Sequence, residues 1–274
     1  MTDAIGRERH QLAIGVVGGP TAVIDYGGAR FVSDPTFDPP GSYGAYDKIV
    51  GPAVSPAAIH PVDAVLLSHD THMDNFDHAG REFAADVGTV VTGWQAGQRM
   101  GDIARGLRPF ESTVFGSAAP GIADVTVYAV PAQHGPADGE RDDDGNINAE
   151  TTGFVLQSAG LPTVYVSGDN ASIAPVVEIA DRFPDISIGV LHVGAARLST
   201  KNAGRPLTLT ADRASDVAQL LGLSAVVLVH CQGWSLYTQT PEDVHDSFAD
   251  AGLAGLIRSA PLGHWALRGA QAAE

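Results

Sequence analysis

Cysteine and lysine are scarce in this sequence, and each shortage excludes a class of site or partner. Cys231 is the only cysteine among 274 residues, which excludes an internal disulfide and a cysteine-rich zinc site. Lysine occurs only at Lys48 and Lys201, and acidic residues outnumber basic ones 32 to 16. A chain with so few cations has no basic stripe to neutralise phosphates, which argues against nucleic-acid binding. Any metal site must therefore use histidine and carboxylate ligands.

Long apolar runs are also missing. No stretch approaches the roughly 20 residues of a membrane span, and the opening residues MTDAIGRERHQ lack the apolar segment of a secretory signal. We therefore expect a cytoplasmic protein without a membrane partner. Hydrophobic residues still make up 44% of the chain, which is enough to bury a full-sized core. No linker or fixed-period repeat interrupts the sequence, so we predict a single domain over residues 1–274.

Short apolar runs alternate with glycine and proline in the first third of the chain. The segments LAIGVVGG, TAVIDYGG and RFVSDP predict strands of a hairpin-rich sheet. Further along, predicted strands alternate with amphipathic segments of helical spacing: DHAGREFAADVG, WQAGQRMGDIARG, APVVEIADRF and TADRASDVAQLLG. This alternation is typical of an α/β fold, which gathers its functional side chains at the ends of strands.

Residues that can bind metals lie at or just past the ends of four further predicted strands, DAVLLS, VTVYAVPA, TVYVSGD and AVVLVH. They are His69, His72, Asp74, His134, Asp169 and His230. A single histidine at a strand end is more often a hydrogen-bonded core or surface residue than a ligand. Several histidines together with carboxylates, however, fit a catalytic metal site that keeps one position open for water.

The order, spacing and flanking residues of these segments resemble the metallo-β-lactamase superfamily of metal-dependent hydrolases. LLSHDTHMDN resembles the His-rich signature of the family, and FVSDPTFDPPG resembles its early Asp-bearing strand. VPAQHGP, VSGDN and LVHCQGW resemble the segments that carry the later ligands. The resemblance covers nearly the whole chain and is greatest to the lactonase-like branch. It implies a four-layer αβ/βα sandwich, with two mixed sheets face to face, helices outside and metals at one edge.

The resemblance also implies two divalent metal ions, Zn²⁺ first, with Mn²⁺ or Fe²⁺ as alternatives. The implied ligands are His69, His72 and His134 for one ion and Asp74, Asp169 and His230 for the other, with Asp169 bridging. Asp74 would orient a metal-bound hydroxide and act as a general base. His192 follows another apolar run and would contact substrate or stabilise an oxyanion, although a core histidine is an equal alternative.

The His-rich signature departs from the family pattern H-x-H-x-D-H. The chain reads H-D-T-H-M-D-N, which requires one inserted residue and places Asn75 where the family has its last histidine. Without the insertion, Thr71 and Met73 would occupy ligand positions, and neither binds hard metals well. We therefore favour the register that uses His72 and Asp74. Asn75 is expected to offer a carbonyl oxygen, which would hold the second ion loosely or favour Mn²⁺ or Fe²⁺.

Three further residues carry predictions about their surroundings. Asp70 and Asp77 are candidates to accept the N–H groups of ligand histidines. Asp77 is equally well explained as a carboxylate at the start of a helix. Cys231 follows a proposed ligand on a strand and should therefore face away from the metals.

The polar segment 135–150 predicts a mobile surface loop that borders the pocket entrance. Its acidic residues match an EF-hand calcium loop only in part, because Thr151 occupies the last ligand position and flanking helices are missing.

The expected reaction is hydrolysis of a lactone or other ester, with phosphodiesters as the second choice. The substrate is expected to be a small molecule, and a homo-oligomer is an open alternative. Two other classes remain open: an iron redox protein on the same scaffold, and a binding protein whose metal site has decayed at Asn75.

The register of the His-rich segment can be tested by substitution. His72→Ala should lower the metal content and Asp74→Ala should abolish turnover, because imidazole and carboxylate bind divalent metals better than hydroxyl or thioether. Thr71→Ala should leave both properties nearly unchanged. Elemental analysis of protein purified without chelator measures the metal content. A metal content that falls in Thr71→Ala but not in His72→Ala would establish the uninterrupted register instead.

Overall fold

A computed structural model describes residues 3–116 and 123–269. Its strands, in chain order, are β1 (Leu12–Gly18), β2 (Thr21–Tyr26), β3 (Ala29–Ser33), β4 (Gly41–Ser42), β5 (Asp47–Lys48), β6 (Ala64–Leu66), β7 (Val90–Gly93), β8 (Ala104–Leu107), β9 (Ser112–Phe115), β10 (Val125–Pro131), β11 (Thr152–Gln157), β12 (Thr163–Val166), β13 (Ile186–His192), β14 (Ala225–Val229) and β15 (Trp265–Arg268). The helices are α1 (Pro56–Ile59), α2 (His78–Val87), α3 (Trp94–Met100), α4 (Ala174–Arg182), α5 (Ala211–Leu220) and α6 (Pro241–Asp250). No helix in the two described ranges is long and apolar enough to cross a membrane.

The strands form two mixed sheets. One sheet has seven strands in the order β15-β1-β2-β3-β6-β7-β8, and the other has six in the order β14-β13-β12-β11-β10-β9. Pairing is antiparallel from β15 to β3 and parallel from β3 to β8. In the second sheet, pairing is parallel from β14 to β12 and antiparallel from β12 to β9. Helices α2 to α5 each connect one of the parallel pairs β6–β7, β7–β8, β12–β13 and β13–β14, whereas β4, β5 and α1 lie between β3 and β6.

Apolar side chains separate four layers of secondary structure. Ile24 and Phe154 belong to the core between the two sheets. Phe83 of α2 packs on the outer face of the seven-stranded sheet, whereas Val176 of α4 and Phe248 of α6 pack on the outer face of the other sheet. The predicted αβ/βα sandwich is confirmed.

Local signals placed the ends of two helices correctly. The Asp77 side chain accepts a hydrogen bond from Gly80 N at the start of α2, and Gly88, at φ 71°, ends that helix. Thr210 caps α5 by accepting from Arg213 N at 3.3 Å. Both caps satisfy backbone N–H groups that have no partner within the first helical turn.

The segment WQAGQRMGDIARG was predicted as one helix, and this prediction is wrong for its second half. Helix α3 ends at Met100, and Gly101 follows at φ 68°. Residues Gly101–Ile103 form a 3₁₀ turn, and β8 then extends the seven-stranded sheet. A Cβ atom on Gly97 would lie 2.4 Å from Gly106 Cα, so the two glycines allow α3 to lie directly against β8. Pairing with β7 therefore outweighs the helical periodicity of this segment.

The proposed ligands follow strands that end at the same edge of the sandwich. His69, His134, Asp169 and His230 come shortly after β6, β10, β12 and β14. Gly168 permits this arrangement, because its backbone has φ 55° and a Cβ there would lie 2.3 Å from Thr152 O. A side chain at position 168 would push Asp169 away from the neighbouring strand.

Gly168→Ala should destabilise the protein more than Gly160→Ala does. Both glycines have positive φ, so each substitution carries a backbone strain of roughly 1 kcal/mol. Position 160 has open space around it, whereas position 168 adds steric overlap that costs about 1–3 kcal/mol. Thermal unfolding of the two variants measures the difference. Equal melting temperatures would contradict a tight contact at Gly168.

Candidate metal centre

Three imidazole nitrogens meet at one point of the edge. His72 Nδ1 lies 2.8 Å from His69 Nε2 and 3.2 Å from His134 Nε2. Burial, followed by the charge of neighbouring histidines, holds the pKa of His69 well below its usual value and lowers that of His72 to about 4. These two side chains are therefore neutral at pH 7, which leaves the nitrogen lone pairs free to bind a cation.

Hydrogen bonds behind the rings orient two of these histidines. His134 Nδ1 lies 2.9 Å from Leu207 O, and His69 Nδ1 lies 2.9 Å from Ser68 Oγ. A carbonyl only accepts, so Nδ1 of His134 carries the hydrogen and Nε2 presents its lone pair. Partners of this kind fix the tautomer and direction of metal-binding imidazoles.

A second group consists of Asp74, Asp169 and His230. His230 Nε2 lies 3.3 Å from Asp74 Oδ2 and 3.4 Å from Asp169 Oδ1. His230 is fully buried and its backbone has φ 61°. Neither ring nitrogen has a hydrogen-bond partner among the described residues. Burial opposes protonation of His230, but the charges of Asp169 and Asp74 outweigh it and raise the pKa. The group therefore requires positive charge, and a divalent cation fits it.

Asp169 joins the two groups. Its Oδ1 atom faces His230, and its Oδ2 atom lies 3.8 Å from His134 Nε2. Within each group of three, the potential ligand atoms all lie within 4.8 Å of one another. The structure thus brings together all six residues that the sequence proposed as ligands, and their metal-binding role remains a prediction.

Asn75 does not present the carbonyl oxygen that was expected of it. The Nδ2 group donates to Asp169 Oδ1 at 3.0 Å and lies 3.4 Å from both Asp34 Oδ2 and Ser68 Oγ. Its Oδ1 atom is buried and accepts no hydrogen bond from the part of the chain that the structure describes. Rotating the amide would set oxygen against the Asp169 carboxylate, so the amide nitrogen is correctly the group that faces the centre.

His192 lies close to the centre but is occupied by protein partners. Its Nε2 atom is 2.9 Å from Asp34 Oδ2, and its Nδ1 atom is 3.3 Å from Ser167 Oγ. The side chain is fully buried. An oxyanion-stabilising histidine needs an N–H directed at substrate, so these contacts do not support the catalytic role predicted for His192. They support the alternative of a core histidine that positions Asp34.

The predicted roles of Asp70 and Asp77 as partners of ligand histidines are wrong. Asp70 pairs with Arg99, at 2.5 and 2.9 Å, because an exposed guanidinium lies within reach. Asp77 caps α2 and binds the buried Lys48 ammonium at 2.9 Å. Cys231 lies two residues beyond the end of β14 and packs into the apolar layer of α4 to α6, away from the proposed ligands as predicted.

Two tyrosines beside the centre carry no signal in the sequence, because they are distant from the ligands along the chain. Tyr46, in the turn between β4 and β5, accepts a hydrogen bond from Met73 N at 3.2 Å and contacts the Asp74 carboxylate. The Tyr237 ring lies 4.2 Å from the His230 ring. Burial, followed by the charge of Asp74, raises the pKa of both phenols, so both are protonated at neutral pH.

A small cavity of about 20 Å³ opens onto the ligands. Its remaining walls are Tyr46, Ala196, Leu198, Leu207 and Leu236. This is room for roughly one water molecule beside a cation.

A larger cavity, of about 420 Å³, is lined by His134 and by part of the loop 135–150. This loop is anchored rather than freely solvated. The Asp142 carboxylate accepts from Asn146 N at 2.8 Å, and Glu150 accepts from Gln95 N and Ala96 N at the start of α3. In the described ranges, the acidic residues of this loop form no ligand cluster, so the partial EF-hand match gains no support.

A family profile described as a beta-lactamase superfamily domain matches residues 29–231. The chain belongs to the beta-lactamase superfamily. The matched range contains all six proposed ligands, and the resemblance recognised in the sequence is confirmed at this level. No curated protein matches the chain.

Solved structures share this fold over most of the chain. An isothiocyanate hydrolase from Delia radicum gut bacteria is 20% identical, with a TM-score of 0.75 over 92% of this chain and 97% of its own. A possible metal-dependent hydrolase from Veillonella parvula is 17% identical, with a TM-score of 0.77 over 93% and 98%. The diiron β-hydroxylase CmlA from Streptomyces venezuelae is 15% identical, with a TM-score of 0.59 over 90% of this chain and 51% of CmlA.

These likenesses establish the metallo-β-lactamase fold of this superfamily member. The fold hosts more than one chemistry among these neighbours, so the reaction must be argued from the site itself. The lactonase-like branch remains a prediction.

Ser68→Ala should weaken metal binding by about 10- to 100-fold, because it removes the hydrogen-bond partner that orients His69. Ser224→Ala is the matched control, since Ser224 Oγ is exposed and bonds only to Ser187 O. Competition with a chromophoric chelator measures the affinity of each variant for Zn²⁺. Equal affinities in the two variants would show that Ser68 does not support a ligand.

Proposed function

We propose that this member of the beta-lactamase superfamily is a metal-dependent hydrolase of a small, uncharged ester, with lactones as the first choice. The observation that carries the proposal is the meeting of two groups of histidines and carboxylates at one edge, joined by Asp169. This donor set suits Zn²⁺ first, with Mn²⁺ or Fe²⁺ as alternatives. The presence of three potential ligands in each group argues against a binding protein with a decayed site.

Asp74 is the proposed general base. A divalent ion in this centre would lower the pKa of a bound water from 15.7 to about 7, which makes hydrolysis feasible at neutral pH. The Asp74 carboxylate lies between His230 and the Tyr46 hydroxyl. In this position it can accept a proton from the attacking water and transfer it to the leaving group.

Tyr46 is the proposed hydrogen-bond donor to substrate. Its hydroxyl lines the small cavity beside His72 and Asp74. The phenol accepts from Met73 N, remains protonated and lies against the Asp74 carboxylate, so its hydrogen can turn to a developing negative charge on the substrate once Asp74 has taken up a proton. Tyr46 takes the role that the sequence had suggested for His192.

The walls of the small cavity favour a neutral substrate with an apolar chain. Ala196, Leu198, Leu207 and Leu236 are aliphatic, and no lysine or arginine is among the described residues that line the cavity. The exposed Lys201 acts on His72 from outside this wall. An anionic phosphodiester would find no side-chain cation here, in a protein of formal net charge −16. Phosphodiesters are therefore the second choice.

Metal analysis and a substrate panel test the proposal. Protein purified without chelator should contain Zn²⁺, Mn²⁺ or Fe²⁺, and should hydrolyse a lactone or aryl ester faster than bis(4-nitrophenyl) phosphate. An aryl isothiocyanate belongs in the panel, because one structural neighbour is named for that uncharged substrate. Faster phosphodiester cleavage would establish the second choice. Iron without any hydrolysis would indicate a redox protein, for which CmlA offers a precedent of fold, and absence of metal would indicate a decayed site.

Tyr46→Phe should lower kcat by about 10²-fold, because it removes a donor used in the transition state. Metal content should not change, since the phenol is not one of the six ligands. Tyr43→Phe is the matched control, because Tyr43 lies in the same hairpin, packs on Trp234 and directs its hydroxyl to Pro39 O. Steady-state kinetics on the best substrate of the panel, beside elemental analysis, measure both effects. A kcat for Tyr46→Phe equal to that of Tyr43→Phe would remove Tyr46 from the mechanism.

A further inference from the structure

The larger cavity, of about 420 Å³, lies beside the candidate metal centre rather than within it. Its walls come from β7 and β8 of one sheet, from β10 and β11 of the other, and from loop 135–150. It shares His134 with the candidate metal centre, but the proposed hydrolysis makes no other use of it. A cavity of this volume is large enough for a small organic molecule. It is therefore a candidate for a second binding site.

Part of the cavity wall is apolar. Four residues contribute aliphatic surface: Leu107 of β8, Val130 of β10, Ile147 of the loop and Pro175 of α4. Because these residues belong to four separate segments, apolar surface reaches the cavity from several sides. Such a wall favours a ligand with an aliphatic or aromatic group, since contact removes apolar surface from water.

Two side chains of opposite charge, Arg141 and Glu150, also line the cavity. The Glu150 carboxylate accepts from Gln95 N at 3.0 Å and from Ala96 N at 2.9 Å, one bond on each oxygen. Each oxygen therefore keeps a further lone pair. Arg141 donates one N–H to Gly145 O and keeps other N–H groups for a ligand.

The charges of Arg141 and Glu150 are not neutralised by neighbours. In the described ranges, neither side chain forms an ion pair, with the other or with a third residue. Arg99 lies near enough to feel the charge of Glu150, but its guanidinium binds the Asp70 carboxylate at 2.9 Å instead. One anion and one cation thus face the same cavity and remain available to a ligand.

Thr151 is a third polar residue of the wall, and its hydroxyl lacks a partner. The residue is only 9% exposed, and its Oγ1 atom has no hydrogen-bond partner among the described residues. Buried hydroxyls are nearly always hydrogen-bonded, so an unpaired one beside a cavity points to a polar group that enters the cavity.

We propose that this cavity binds a small zwitterion with an apolar body, namely an amino acid or dipeptide whose side chains are apolar. Glu150 would bind the ammonium group, Arg141 would bind the carboxylate, and the hydroxyl of Thr151 would bond to one of the two. The apolar side chain would lie against the aliphatic wall. The inference does not rest on the proposed hydrolysis, because neither charged residue belongs to the candidate metal centre.

Other classes of ligand fit these walls less well. Glu150 would repel a simple anion, which the formal net charge of −16 also disfavours. Arg141 would repel a simple cation. An uncharged ligand would cover both charged groups and remove them from water without compensation. Only a ligand with both charges compensates both residues.

Isothermal titration calorimetry with matched ligands tests the proposal. L-leucine and L-leucyl-L-leucine are the zwitterions, and the tighter of the two identifies an amino acid or a dipeptide as the preferred ligand. N-acetyl-L-leucine lacks the ammonium group, L-leucinamide lacks the carboxylate, and glycine lacks the apolar side chain. Each of the three should bind at least about tenfold more weakly than L-leucine, because each loses one of the contacts. Failure of both zwitterions to bind, or equal binding of the analogues, would overturn the proposal.

Substitution of Arg141 and Glu150 assigns each charge to its partner. Arg141→Gln should weaken L-leucine by about tenfold and leave L-leucinamide unchanged, since the amide has no carboxylate to lose. Glu150→Gln should weaken L-leucine and leave N-acetyl-L-leucine unchanged. The glutamine oxygen at position 150 can still accept from the start of α3, so the loop keeps its anchor.

Matched controls remove the same charges elsewhere. Arg268→Gln and Glu242→Gln lie outside the cavity, and both residues are exposed. Neither control should change the Kd of L-leucine. A control that weakens L-leucine as much as the cavity variants do, or cavity variants that weaken all ligands equally, would contradict the assignment. Thermal unfolding of each variant establishes that a lost affinity does not reflect a lost fold.

A final comparison separates this cavity from the candidate metal centre, because free amino acids also bind divalent ions. The titrations are run on protein as purified and after treatment with a chelator. The Kd of L-leucine should be the same in both, and His72→Ala, a proposed ligand outside the cavity, should not change it. Binding that disappears with the metal would place L-leucine on the ions and overturn the separate site. Binding that persists in protein inactive on every ester would sustain the site and reject the hydrolase.

Discussion

The burial of the Asp169 carboxylate among histidines is the constraint on which the rest of the centre depends. Asp169 is almost completely buried, with one oxygen toward His230 and the other toward His134. Burial opposes its ionisation, but the charges of His230 and His134 outweigh burial and hold its pKa below the usual range. An ionised carboxylate at this depth is tolerated only beside compensating positive charge. A divalent cation would supply that charge to both ligand groups at once.

The sandwich delivers these side chains because strand ends from both sheets meet at one edge. Asp34, directly after β3 of the seven-stranded sheet, contacts His192 at the end of β13 of the other sheet at 2.9 Å. The same carboxylate accepts from Ser68 N at 2.7 Å, in the segment that leads to His69. Asp34 has φ 37°, a conformation that the surrounding contacts must hold. This buried contact between Asp34 and His192 thus connects the two sheets directly behind the proposed ligands.

The β4–β5 hairpin places a phenol hydroxyl beside the proposed ligands. Trp234 packs against Tyr43 and Tyr46 of this hairpin, with ring centroids 5.3 and 5.8 Å apart. That packing places the Tyr46 hydroxyl against Asp74, opposite an aliphatic wall. Under the proposed function, a donor and an apolar wall on either side of this centre would suit a neutral substrate with one polar reacting group.

Several features of this protein were determined within short stretches of its sequence. Apolar periodicity predicted most strands, and Asp77, Gly88 and Thr210 correctly marked helix ends. These strands and helix ends can be recognised in the sequence because a cap or a strand pattern depends on residues only a few positions apart. The candidate ligands could be predicted for a similar reason, because histidines and carboxylates that follow apolar runs lie in loops at strand ends.

Only the tertiary structure decided which groups those side chains meet. Asp70 binds Arg99 rather than a histidine, and the Asn75 amide turns its nitrogen to Asp169, 94 positions away in the chain. Residues 104–107 form a strand because β7 offers them an edge, although their own periodicity suggested a helix. Tyr46 reaches the centre only because its hairpin packs on Trp234. Contacts between distant segments depend on how whole sheets and loops pack. That packing depends on residues distributed over the whole chain, so no single motif predicts it.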